Sequence, residues 1–159
     1  MMRHTYEVFL TWTGNQGTGT QNARSYSRDH VVDADGHHPI DGSSDPAFRG
    51  DPTRWNPEQL YVASIAQCHM LWYLALAAGA GITVTGYQDR PTAVMVEEAG
   101  GAGKFESVTL NPVVTVQPGS DEELAERLHH RVGDYCFIAR SVNTPIHHHA
   151  TIRTAPSAR

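Results

Sequence analysis

The chain has two cysteines and ten histidines. Cys68 lies between Gln67 and His69, and Cys136 is followed by Phe137 and Ile138. A thiolate can act as a nucleophile, a metal ligand or half of a redox couple, whereas a buried neutral thiol behaves as a small hydrophobe. For a lone cysteine in a helix the inert role is the ordinary one. Here a second cysteine is available, and the triplet Gln67-Cys68-His69 interrupts an otherwise apolar run. By residue type alone, a peroxide-reactive thiol, a metal ligand and an inert core residue all stay open. The compact run His147-His148-His149 is the other candidate for chemistry. In a strand, His147 and His149 share a face and could hold zinc with one more group. No Cys-x-x-Cys or His-x-x-x-His spacing accompanies them, so exposed strand histidines are the simpler reading.

Cys68 sits inside one long predicted helix, from Pro57 to Ala78. Asn56 can cap it, Pro57 suits its first position, Glu58 places charge at its positive end, and Gly79 and Gly81 stop it. Its apolar residues, Leu60, Ile65, Met70, Trp72 and Leu76 among them, do not stay on one stripe, so it must be wrapped on every side. The run from Gln59 to Gln88 carries no charge, which raises the possibility of a membrane span. Gln67, Cys68 and His69 would then lie at mid-bilayer, and the small-residue tail anchors poorly. A buried helix in a soluble protein is the better expectation.

The rest of the chain must position this helix. Tyr6–Trp12 alternates and reads as a strand; 13–20 is a glycine-rich turn without the lysine or following helix of a phosphate loop. Residues 24–32 read as a second strand, and His37–Ile40 begins a third. Asp41–Trp55 is a long connection carrying Arg49, Arg54, Phe48 and Trp55, of the size that often serves function. After the helix come strands at 82–87, 93–98 and 105–116, with a turn over 99–103 and Pro112 marking an edge or bulge. Ser120 with Glu123 forms a capping box for a second helix that keeps its spacing through to Cys136. Residues 144–154 are a last strand. Blocks of strands on either side of one apolar helix indicate α+β, in a single domain over 1–159. So short a chain cannot wrap that helix alone; a homodimer laying two such helices together would.

Composition narrows the class. With 159 residues, 40% hydrophobic and a net charge of −5, the chain is long enough for one core and carries the wrong field for nucleic acid. Met1–Tyr6 leads straight into a strand with no signal peptide pattern, and two cysteines without one suggest a cytoplasmic protein rather than a disulfide scaffold.

Asn56-Pro57-Glu58-Gln59-Leu60 followed by Ala66-Gln67-Cys68 resembles the Asn-Pro-Glu … Ala-x-Cys signature of the OsmC/Ohr family, the osmotically inducible and organic hydroperoxide resistance proteins. Cys136 falls where that family keeps its second cysteine, and the Gly-Thr-Gly-Thr turn and Phe48-Arg49-Gly50 are similar to it as well. The resemblance covers most of the chain. It implies an α+β fold in which strands wrap two central helices of an intertwined homodimer, with active sites at the subunit interface. It also implies a thiol peroxidase that needs no cofactor or metal. Cys68 would be the peroxidatic nucleophile, Cys136 the resolving thiol, and Glu58 the carboxylate that orients an arginine against the thiolate. Ala47 stands where the family places that arginine; Arg49 is nearest, with Arg28 and Arg54 as rivals. The partners implied are an organic hydroperoxide and an external dithiol reductant. A non-catalytic small-molecule binder of the same fold and a His/Cys metal-binding protein are the alternatives.

Overall fold

The structure is a computed structural model and describes residues 1–156. By backbone contacts the chain forms two compact units, residues 1–61 and 62 onward.

In the first unit, β1 (Phe9–Trp12), β2 (His30–Asp33) and β3 (Ile40–Gly42) form an antiparallel sheet in that order. Trp12 pairs with His30, and Val32 with Ile40. The second strand is shorter than its β-forming residues predict. Between β1 and β2, side chains take over the backbone's hydrogen bonds: Asn15 Oδ1 accepts from Gly17 N and Gly19 N, and Trp12 Nε1 donates to Ser27 O. Local side-chain acceptors of this kind compete with ladder pairing. The long connection contains a short 3-10 turn, Pro46–Phe48, capped by the Asp45 carboxylate, and ends at Arg49 with φ +68°.

α1 (Pro57–Gly79) begins in this unit and runs unbroken into the second. Its start is as the sequence indicates. Asn56 Oδ1 accepts from Gln59 N at 2.8 Å, and Gln59 Oε1 accepts from Asn56 N at 3.1 Å, a reciprocal cap.

The second unit holds the rest of α1, then β4 (Val84–Gln88), β5 (Thr92–Glu97), β6 (Gly103–Leu110), β7 (Val113–Val116), α2 (Glu122–Val132), β8 (Ile146–His148) and β9 (Thr151–Thr154). Two three-stranded sheets result, β4-β7-β9 and β5-β6-β8, in which β9 and β8 lie parallel to β7 and β6. The long strand expected over 105–116 is two strands. At Asn111-Pro112 the chain leaves one sheet for the other; proline has no N–H for a ladder, and Asn111 N donates to Asp89 Oδ1 instead. The last strand divides at the matching place, His149-Ala150, so that β8 follows β6 and β9 follows β7.

Two expectations about α2 are corrected. Its cap is Asp121, not Ser120: the carboxylate accepts from Leu124 N at 2.8 Å, one residue later than the capping box predicts, because Gly119 at φ +85° turns the chain there. And the helix ends at Val132 rather than at Cys136: Gly133 follows in a right-handed conformation, and a turn leads from it to Cys136.

The core of this unit is built from Tyr73 and Ala77 of α1, Val114 and Val116 of β7, and Ala125 and Leu128 of α2. α1 is not buried all round within one chain. Its fully buried residues, Ile65, His69, Tyr73 and Ala77, recur every four positions as one stripe, and Leu71 is 59% exposed. The helix has the length and apolarity to cross a bilayer. Its buried stripe is instead committed to α2: Tyr73 Oη donates to Ala125 O at 3.1 Å, and His69 meets His129.

Candidate active site

Cys68 is half-buried in the middle of α1, and Cys136 is 1% exposed in the turn that follows α2. The structure brings the two thiols together as free thiols: the Cys136 sulfhydryl is in hydrogen-bonding contact with Cys68. What holds them there is aromatic packing. Trp72 lies one helical turn beyond Cys68, while Tyr135 and Phe137 flank Cys136 in sequence. Tyr135 stacks on Trp72 with ring centroids 5.3 Å apart, and Phe137 meets it edge-on at 5.7 Å. The turn is fixed further by Cys136 N donating to Val132 O at 2.9 Å and by Ala139 N donating to Cys136 Sγ at 3.4 Å. Burial, and after it the hydrogen bond to Cys68, push the Cys136 thiol up to about 11. Cys136 therefore rests as a neutral S–H.

Glu58 is in the first turn of α1. One of its carboxylate oxygens, Oε2, is buried with no hydrogen-bond partner. Because α1 is unbroken, ten residues put about 15 Å of axial rise between Glu58 and Cys68. The carboxylate cannot act on the thiol without an intervening group.

The three candidate arginines belong to the first unit and differ in how far they are committed. Arg54 makes ion pairs with Asp29 (3.9 Å), Asp41 (3.4 Å) and Asp51 (3.8 Å). Arg28 donates to Tyr26 O and Ala23 O and lies over the Tyr26 ring at 4.2 Å. Arg49 is exposed and reaches only Ala23 O, at 3.5 Å. It is the one non-glycine at positive φ among the described residues. That left-handed backbone costs an ordinary side chain roughly 1–3 kcal/mol.

The histidine run divides. His147 and His149 are exposed, so the pair that shares a strand face does not face the interior. The inward member is His148, which joins His69, His129 and His130 in a cluster: His69 Nε2 and His129 Nδ1 are 2.9 Å apart, and His148 lies 4.9 to 6.1 Å from the other three rings. Among the described residues no three of His, Cys, Asp or Glu converge as a metal would require. The sequence points to His69 and to the 147–149 run, but not to His129, His130 or the clamping part of Trp72. The signals were there: aromatic residues accompany both cysteines, and His129 falls between Ala125 and Val132 on the apolar stripe of α2.

The sequence profile of the OsmC-like protein family matches residues 50–150. The chain belongs to the OsmC-like protein family. Glu58, Cys68, Cys136 and Arg54 lie within the matched span, and Arg49 falls one residue before it. An OsmC-like protein of unknown function from Vibrio cholerae is 27% identical, with a TM-score of 0.83 over 93% of this chain and 99% of the other. An organic hydroperoxide resistance protein from Elizabethkingia anophelis, solved with thiocyanate bound, is 18% identical and superposes with a TM-score of 0.66 over 97% of this chain and all of the other. The organic hydroperoxide resistance protein of Bacillus subtilis is 20% identical, with a TM-score of 0.59 over 94% and 98%. A sequence search of curated proteins finds no match. The OsmC-like α+β fold is thereby shared with hydroperoxide resistance proteins.

Proposed function

We propose that this OsmC-like protein is a cytoplasmic, homodimeric thiol peroxidase that reduces organic hydroperoxides to alcohols. The observation that carries the reading is the contact between two free thiols, one in α1 and one clamped beside it by Trp72. Cys68 thiolate attacks the outer peroxide oxygen; the O–O bond breaks, the alkoxide takes a proton and leaves as the alcohol, and Cys68 becomes a sulfenic acid. Cys136 sulfur then attacks Cys68 sulfur. The S–S bond forms, the S–O bond breaks, and the Cys136 proton leaves with the hydroxyl as water. An external dithiol reduces the disulfide and restores both thiols.

Arg49 is the cation assigned to Cys68, oriented by Glu58. Two features support it over its rivals. It is the least committed of the three guanidiniums, and a left-handed backbone at a residue other than glycine is of the kind retained where the side chain is needed. The unpartnered Glu58 oxygen supports the carboxylate's part. Homodimerisation is supported by the apolar side chains that one chain leaves exposed, Leu71 on α1 and Val94, Met95 and Val96 on β5. The exposed rings of Phe48, Trp55 and Phe137 favour an organic substrate over hydrogen peroxide.

The test follows loss of cumene hydroperoxide with dithiothreitol as reductant. Wild type turns over, and Cys68→Ser falls to the uncatalysed rate while keeping its fold by circular dichroism. Wild-type turnover in Cys68→Ser defeats the reading. No turnover in either protein leaves the non-catalytic binder of the same fold as the better account.

A further inference from the structure

The turn that carries Arg49 is closed by its own hydrogen bonds. Phe48 N and Gly50 N both donate to Asp45 O, at 2.8 and 3.0 Å, Arg49 N donates to Pro46 O at 3.0 Å, and Ser44 Oγ donates to Phe48 O at 3.0 Å. A Cβ at Gly50 would lie 1.5 Å from Ser44 O, so only glycine fits there. These bonds set the shape of the turn and the left-handed backbone at Arg49, but not where the turn sits on the rest of the first unit.

The Asp45 carboxylate reaches beyond the turn. Its Oδ1 accepts from Ala47 N at 2.8 Å and caps the turn, while its Oδ2 accepts from Asn56 Nδ2 at 3.3 Å. Asn56 is 6% exposed and divides its side chain in the same way: its Oδ1 accepts from Gln59 N at 2.8 Å and caps α1. The Asp45–Asn56 bond therefore joins two caps, that of the turn bearing Arg49 and that of the helix end bearing Glu58. All of these residues belong to the first unit.

We propose that Asp45 is a positioning residue for hydroperoxide reduction: through Asn56 it fastens the Arg49 turn to the end of α1 that carries Glu58. The proposal rests on the assignment of Arg49 and Glu58 to Cys68 made above. The residue types select the pair. Serine at position 45 has one oxygen and could cap the turn, but a carboxylate has two acceptor oxygens and does both tasks at once. At position 56, serine, threonine and aspartate could all cap α1. Asparagine alone among the good caps adds a carboxamide N–H₂ donor, and the ionised acceptor strengthens the bond. Aspartate there would set one carboxylate against another.

The same logic supplies the test. D45N keeps an oxygen for Ala47 N and turns an N–H₂ group on Asn56 Nδ2, donor against donor. N56D keeps the α1 cap and opposes two carboxylates. The double variant D45N/N56D exchanges donor and acceptor and restores the bond at unchanged net charge. Hydrogen exchange of amides 48–50, read by mass spectrometry, should speed up about tenfold in either single variant and return to the wild-type rate in the double. Alkylation of Cys68 by iodoacetamide should slow about threefold in D45N and recover in the double. In an Arg49→Ala background D45N should slow it no further. Unchanged exchange in folded single variants, no recovery in the double, or equal slowing by D45N with and without Arg49 overturns the proposal. Should a single variant fail to fold, the double still decides. Arg49→Ala distinguishes the failures: if it leaves alkylation unchanged, the assignment of Arg49 falls and Asp45's part in the reaction falls with it, whereas slowed alkylation there with exchange insensitive to the swap overturns the role of Asp45 alone.

Discussion

Cys136 rests as a neutral thiol, and the cause matters for the reaction. Burial is the larger of the influences that push it up to about 11, and burial persists after Cys68 is oxidised. The thiolate fraction of such a group grows tenfold per pH unit below its pKa, so the disulfide-forming step is expected to accelerate close to tenfold per unit from pH 7 to pH 9. Stopped-flow mixing of sulfenic Cys68 protein at several pH values reads this; a flat profile would place another step in control. In Cys136→Ser, Cys68 should stop at sulfenic acid and pass to sulfinic acid under excess peroxide, which peptide mass spectrometry distinguishes from the wild-type disulfide. For the cation, the alkylation rate of Cys68 against pH is compared in Arg49→Ala, Arg28→Ala and Arg54→Ala. Arg49→Ala should slow alkylation of Cys68 more than the other two replacements do; no change there would exclude it. At this scale the sequence yields Cys68, Cys136 and Glu58 through a motif, and hides what depends on long-range contact. That Arg54 is ion-paired with three aspartates cannot be read from its neighbours in the chain, because Asp29 immediately precedes β2 and Asp41 lies within β3.

At the scale of elements, Trp72 links α1 to the turn after α2. Trp72→Ala removes the surface on which Tyr135 and Phe137 rest, so Cys136 loses its lateral support. We expect a loss of about 2 kcal/mol, below the roughly 3–5 kcal/mol of a fully buried tryptophan because this one is half-buried. The disulfide step should slow by a larger factor than alkylation of Cys68. Urea unfolding and thiol quantification after one equivalent of peroxide measure the two effects. Helix α1 was legible almost to the residue, since Asn56, Pro57 and Gly79 are local signals that the tertiary structure does not override. The strands were less so. Residues 105–116 have β-forming side chains throughout, and nothing local says that the two halves join different sheets. Pro112 marked the place without stating the consequence.

For the molecule as a whole, neutral buried histidines bear on acid stability. His69 and His129 sit near 4 and 3 when folded against about 6.5 when exposed, with burial the leading cause for both. Between those values the unfolded chain binds the protons and the folded chain does not. Stability is therefore lost as pH falls from 6.5 towards 4, by on the order of 1 kcal/mol per pH unit per histidine, and is intact above 6.5. Urea midpoints across pH 4–7 should show this, and His129→Phe should flatten the slope. Homodimerisation is checked by light scattering on the eluting peak, with a mass near twice 17.5 kDa expected. Sequence reasoning reached the α+β class from the order of strands and helices. Its expectation that α1 is surrounded on all sides goes beyond what one chain supplies, because only the stripe from Ile65 to Ala77 is buried by one chain, Cys68 and Trp72 are half-covered, and Leu71 stays exposed.

The parallel pairing of β8 with β6 and of β9 with β7 sets an order of events during synthesis. Both sheets of the second unit stay two-stranded until residues 146–154 emerge from the ribosome. That is about thirty residues after β7, roughly 1.5–6 s at 5–20 residues per second. Throughout that interval Val108, Leu110, Val114 and Val116, all fully buried at the end, wait beside open strand edges. His148 arrives with β8 as the last member of the histidine cluster. A nascent chain paused before His148 would present apolar strands without their covers, the state in which holdase chaperones and degradation compete for it.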